Sequence, residues 1–153
     1  VSFFDTKLPA PLVALIAGAG MFVYARAALL SGDDSALRTA VAVGLSQVSA
    51  LIALLAMASF WRRGTTLNPF QPARASTLVT HGVFRFSRNP MYLSLLILLV
   101  AYALRLGAWA GWAGPLGFWC YVTRYQIVPE ERALEDRFGE AYRAYKRRTR
   151  RWL

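Results

Sequence analysis

The stretch TLVTHGVFRFSRNPMYLSLLILLV, Thr77 to Val100, decides the reading of this chain. Its first half carries Thr80, His81, Arg85, Ser87, Arg88 and Asn89. After Pro90 no charge follows until Arg105. Asn89 suits a helix N-cap and Pro90 the first helical position, so a helix is expected to start here. A dense group of donors therefore abuts an apolar helix. Outward from it lie three more apolar segments. Leu8–Leu30 holds one charge, Arg26, while Thr39–Trp61 has none across 23 residues and Leu106–Thr123 none across 18. A bilayer core of roughly 30 Å needs about 20 helical residues. The first two segments are long enough. Met91–Leu104, with 14 uncharged residues, must borrow Arg88–Pro90 and let Arg105 snorkel. Only Arg105 and a Gly/Ala/Trp turn separate the third segment from the fourth, which predicts a tight helical hairpin.

Composition agrees with membrane insertion. The 153 residues are 56% hydrophobic with a net charge of +10. A soluble nucleic-acid binder could carry that charge, but not together with such long apolar runs. Basic residues gather where helices leave the bilayer on the cytoplasmic side. The first segment lacks a basic leader, is long, and is followed by another span, so it reads as a retained helix rather than a signal peptide. One cysteine, Cys120, permits no disulfide within one chain, and the lone His81 is not a metal site. The expected fold is all-α: a polytopic membrane protein with about four transmembrane helices and a C-terminal amphipathic cytoplasmic helix. It reads as one domain, 1–153, with two N-terminal transmembrane helices in 1–61 and a core in 62–153.

Charge sets the orientation. The first connection carries Asp33 and Asp34, whereas the middle loop, Arg62–Asn89, carries Arg62, Arg63, Arg74, Arg85 and Arg88. The tail after Thr123 holds nine of the 18 basic residues. The middle loop and both termini are thus expected on the cytoplasmic side, with a prokaryotic inner membrane as the setting. In the tail, Pro129 can start a helix, and Glu130, Glu131, Glu135 and Asp136 favour its positive end. Leu134, Phe138, Ala141, Tyr142 and Tyr145 follow at helical spacing as one apolar face. Lys146–Arg151 offers five positive charges in six residues, to lie on an anionic leaflet or fold back over the helix ends.

Three polar clusters, Thr77–His81, Arg88–Tyr92 and Arg124–Glu131, share one end of the expected bundle. Carboxylates near membrane depth are tolerated where they are packed in protein or line a cavity. The topology therefore proposes a polar pocket at the inner interface. Singly, each piece has a plain reading: arginines as lipid-phosphate anchors, Asn89-Pro90 as a cap, Glu130 and Glu131 as helix-dipole partners. No nucleophile triad, phosphate loop or dinucleotide glycine signature is present.

The ordered set LVTHGVFRFSRNPMY, then the hairpin, then PEERALEDRFGEAYRAYKRRTRRWL resembles the isoprenylcysteine carboxyl methyltransferase and phospholipid methyltransferase superfamily of integral membrane enzymes. The resemblance covers about Ser76–Leu153. It implies S-adenosylmethionine as methyl donor, held without a dinucleotide fold, and a lipid or lipophilic small-molecule acceptor. It implies cofactor contacts from Ser76, Thr77, Leu78, Val79, His81, Gly82, Phe84, Arg88, Asn89, Pro90, Met91, Tyr92, Glu130 and Glu131. Arg88, Tyr92 and Glu130 would carry catalysis. Arg124, Gln126 and Trp119 would meet the acceptor. Phe84 stands where the family often has Tyr, and Gln126 where the prenylcysteine branch has a substrate-binding Arg. Two other readings stand beside this one. A membrane sterol reductase using NADPH shares a similar R-x-P-N-Y motif, and a non-catalytic bundle could bind lipid or a partner through its basic tail.

Overall fold

The computed structural model describes residues 8–28, 35–62 and 78–153, and every regular element among them is helical. Helix α1 spans Ala10–Ala27, α2 Ala36–Trp61, α3 Pro90–Leu106 and α4 Ala113–Val122. A π-helical stretch, Thr123–Ile127, joins α4 to α5, Val128–Phe138, and α6 follows at Glu140–Arg148. Helices α1 and α2 are long and apolar enough to cross a membrane, while α3 is apolar but shorter. Their outer faces carry Leu15, Ile16, Val23, Leu51 and Leu54, all exposed. In water such faces would demand cover, whereas lipid satisfies them directly.

Polar bonds fix the order of the bundle. Ser49 in α2 donates to the Ser94 carbonyl in α3 at 2.7 Å, and Arg105 at the end of α3 donates to Thr39 at the start of α2 at 2.6 Å. These two helices are therefore antiparallel. Gln126, beyond α4, donates to the carbonyl of Leu8, just before α1. At the opposite end, a Cβ on Gly114 would overlap the Met21 side chain of α1, so glycine there lets α4 approach without displacing Met21. The chain thus runs up and down as a four-helix arrangement. Small residues at the contacts, among them Ala42, Ala56, Ala101 and Ala103, let the backbones come close.

Two local features refine the sequence reading, and a third departs from it. The hairpin between α3 and α4 is present. Gly107, in the left-handed region at φ +66°, ends α3, and a 3-10 turn Trp109–Trp112 precedes α4. The Gly/Ala/Trp turn expected between the two segments is thus present. Pro129 sits in the first turn of α5, as expected, but α5 continues from α4 rather than starting afresh. The proline ring has no N–H for the Tyr125 carbonyl, and the π-helical stretch just upstream widens the helix so that it continues unbroken. The amphipathic tail is two helices rather than one, broken at Gly139 with φ +51°.

Candidate active site

The ends of α2 and α3 gather at one pole with α5, α6 and the C-terminal segment. Arg88 precedes α3 by two residues, and Tyr92 lies in its first turn. The π-helical stretch adds a residue to the turn before α5. That addition swings the following side chains by about 100° around the axis, and Glu130 and Glu131 face α3. The Tyr92 hydroxyl donates to Glu130 Oε1 at 2.5 Å. Arg88 Nη2 lies 3.1 Å from Glu131 Oε1, with both side chains more than nine-tenths buried. Arg151 grips the same carboxylate twice, Nε to Oε1 at 3.0 Å and Nη2 to Oε2 at 2.7 Å.

Electrostatics at this pole is unbalanced in an informative way. Two guanidiniums meet one buried carboxylate, while Nε and Nη1 of Arg88 are buried with no hydrogen-bond partner among the described residues. Such donors are costly to leave unmade. Beside them, burial pushes the Glu130 carboxyl up from an ordinary 4.5 to about 7. The Tyr92 hydrogen bond opposes the rise and the neighbouring Glu131 charge adds to it. A cationic edge with free donors and a carboxyl that resists ionisation without a cation thus lie close together at one pole of the bundle.

The C-terminal segment folds back over this pole rather than lying free. The Arg88 amide donates to the Arg150 carbonyl at 3.0 Å, and Asn89 Nδ2 to the Arg151 carbonyl at 2.9 Å. Asn89 holds the N-cap position, but its side chain is drawn to the tail and does not cap α3. Tyr145 donates to the Phe84 carbonyl at 2.6 Å. Burial raises the Tyr142 and Tyr145 phenols, which stay neutral.

The other candidate residues divide. Leu78, Val79, Phe84 and Met91 pack with Ala56, Tyr142 and Tyr145 in a cluster under the pole. Phe84 meets Phe60 edge-to-face at 5.3 Å. Pro90 is fully buried at the start of α3. Gly82 has φ +63°, a conformation that favours glycine, at the start of a 3-10 turn. His81 is exposed and pairs with Thr80 at 3.0 Å. Ser76 and Thr77 lie outside the described residues, as does most of the middle loop. Gln126 is buried against the start of α1, whereas Arg124 and Trp119 are exposed. Arg124 lies over the neighbouring Tyr125 ring. Sequence reasoning missed Arg151, which it placed in a basic run without a specific partner. It read Tyr142 and Tyr145 as an apolar face and had no signal for their hydroxyl or charge contacts.

Residues 37–141 match the phospholipid methyltransferase family. The chain belongs to this family. The match takes in α2, where the sequence reading found no signature, and stops before Tyr142. An uncharacterized protein of Haemophilus influenzae is 48% identical over 63 residues, which are 41% of this chain and the whole of that relative. No solved structure matches the chain. Membership implies a methyltransferase and, with the two long apolar helices, a membrane setting.

For a phospholipid methyltransferase family member, a second feature gains meaning. An open groove of about 1130 Å³ lies between α1 and α2 over α3, lined by Ala14, Gly18, Ala42, Ser46, Leu95 and Tyr102 among others. Its walls are almost wholly apolar, and the buried titratable groups lie elsewhere, one turn away past Tyr92. The groove is thus an apolar space that neighbours the polar Arg88–Tyr92–Glu130 pole.

Proposed function

We propose that the protein is an S-adenosylmethionine-dependent membrane methyltransferase whose acceptor is a lipid or lipophilic small molecule. The observation that carries this is the pair of unpartnered donors on buried Arg88, set beside the Tyr92–Glu130 contact. The cofactor's amino-acid end is a zwitterion, and the residues present suit it. Arg88 Nε and Nη1 offer donors to a carboxylate. Glu130 offers the counter-charge for an ammonium, which would draw its carboxyl toward ionisation. When bound, the cofactor supplies an electrophilic methyl group on a sulfonium.

The chain's own part is alignment and exclusion of water, which suffice for an in-line displacement. Arg88 and Glu131 hold one wall. Tyr92, fixed by Glu130 on one side and packed toward the α1–α3–α4 core on the other, holds a second. The α6 tyrosines and the C-terminal segment cover the pole. Leu78, Val79, His81, Gly82, Phe84, Asn89, Pro90 and Met91 complete the cofactor side in this proposal; Arg124, Gln126 and Trp119, expected on the acceptor side, lie on α4 and the π-helical stretch and do not line the groove. The groove beside α3 offers apolar space along about 15 Å of helix, from Leu95 to Arg105, for an acceptor's hydrocarbon.

We place four helices across the bilayer, with α4 continuing through the π-helical stretch to reach the interface. The Arg-rich pole and both termini then face the cytoplasm of a prokaryotic inner membrane. Calorimetry in detergent tests the cofactor. S-adenosylhomocysteine should bind and raise the thermal midpoint, as any ligand selective for the folded state does. Stabilisation by NADPH alone would replace this reading with the reductase.

A further inference from the structure

We infer that Arg151 is a positioning residue that keeps the ligand-binding edge of Arg88 free. The inference rests on the cofactor reading above, in which that edge meets a carboxylate. Glu131 has two oxygens and two arginine suitors. Arg151 takes both oxygens in a forked pair, and Arg88 reaches only Oε1, through Nη2. A guanidinium prefers two parallel bonds to a carboxylate over one. Without Arg151, Oε2 of Glu131 would be the nearest open acceptor for Arg88. Arg88 would then close into its own forked pair, and Nε and Nη1 would cease to be available together. Arg151 thus withholds Glu131 from Arg88 and leaves the pole with an excess positive charge suited to an anion.

The backbone supports this assignment. The carbonyl of Arg151 accepts from Asn89 Nδ2 at 2.9 Å and from Ser87 Oγ at 3.5 Å, on either side of Arg88. The carbonyl of Arg150 accepts from the Arg88 amide. The segment that carries the competing guanidinium is thereby pinned to the residue it positions. It lies beyond the part of the chain that matches the family, residues 37–141.

The test compares two ligands by calorimetry on the detergent-purified full chain. S-adenosylhomocysteine carries the amino-acid carboxylate, whereas 5′-methylthioadenosine keeps the nucleoside and sulfur but lacks it. Arg151→Ala should weaken S-adenosylhomocysteine by roughly tenfold or more, the range for a lost charged hydrogen bond, and leave 5′-methylthioadenosine unchanged. Arg151→Lys, which keeps a charge on Glu131, should recover most of the affinity. Equal affinity of wild type and Arg151→Ala for S-adenosylhomocysteine would overturn the inference. So would a parallel loss of both ligands, which would mark Arg151 as a structural tie of the tail. A wild-type protein that binds neither ligand would overturn the cofactor reading itself, and this inference with it.

Discussion

Glu130→Gln should make the ligand-free protein more stable at alkaline pH and leave it unchanged in acid. Burial raises the Glu130 carboxyl from 4.5 to about 7. The folded state therefore binds this proton more tightly than the unfolded chain. Stability from the neutral carboxyl is complete below about 4.5 and is lost as pH rises through about 7. A rise of that size corresponds to roughly 3 kcal/mol. The glutamine side chain would be neutral at every pH, and its amide oxygen could still accept from the Tyr92 hydroxyl. At about 3 °C per kcal/mol for a chain of this size, the midpoint should gain on the order of 10 °C at pH 8. At about pH 4, below the unfolded value of 4.5, the two proteins should melt nearly together. The assay is thermal unfolding in one detergent from about pH 4 to about pH 8. Melting curves whose midpoints run parallel across that range would refute the claim that Glu130 is an enclosed acid awaiting a cation.

Tyr92→Phe removes the bond that holds the Glu130 carboxyl down. The pH at which S-adenosylhomocysteine binding reaches half its maximum should therefore move up, read by calorimetry at several pH values. Arg88→Ala should fold, because Arg151 still neutralises Glu131 through two bonds, but should lose S-adenosylhomocysteine binding roughly tenfold or more. Gly114→Ala should destabilise by about 1–3 kcal/mol through overlap with Met21, read as a lower melting midpoint in detergent.

The bundle was legible wherever hydropathy alone decides. The uncharged run Thr39–Trp61 falls within α2, and Asn89-Pro90 marked the start of α3 to the residue. The gathering of Arg88, Tyr92 and Glu130 at one pole was also legible, because four antiparallel segments return their charged ends to one side. What stayed hidden depends on contacts across the chain. Pro129 does stand in the first turn of α5, but the π-helical stretch that joins α5 to α4 has no hydropathy signature. Asn89 looked like a cap because its tail partner, the Arg151 carbonyl, is 62 residues away. Arg151 looked like one of five equivalent cations, since charge counting cannot tell a solvated arginine from one forked onto Glu131. The break at Gly139 was visible as a glycine, but its φ of +51° was not.

The most direct test of the account is transfer of a radiolabelled methyl group from S-adenosylmethionine into a total membrane lipid extract, with wild type and Arg88→Ala side by side. The account predicts label in an organic-soluble product with wild type and little with the variant. Label incorporated equally by both, or none from a wild-type protein that binds S-adenosylhomocysteine, would contradict it.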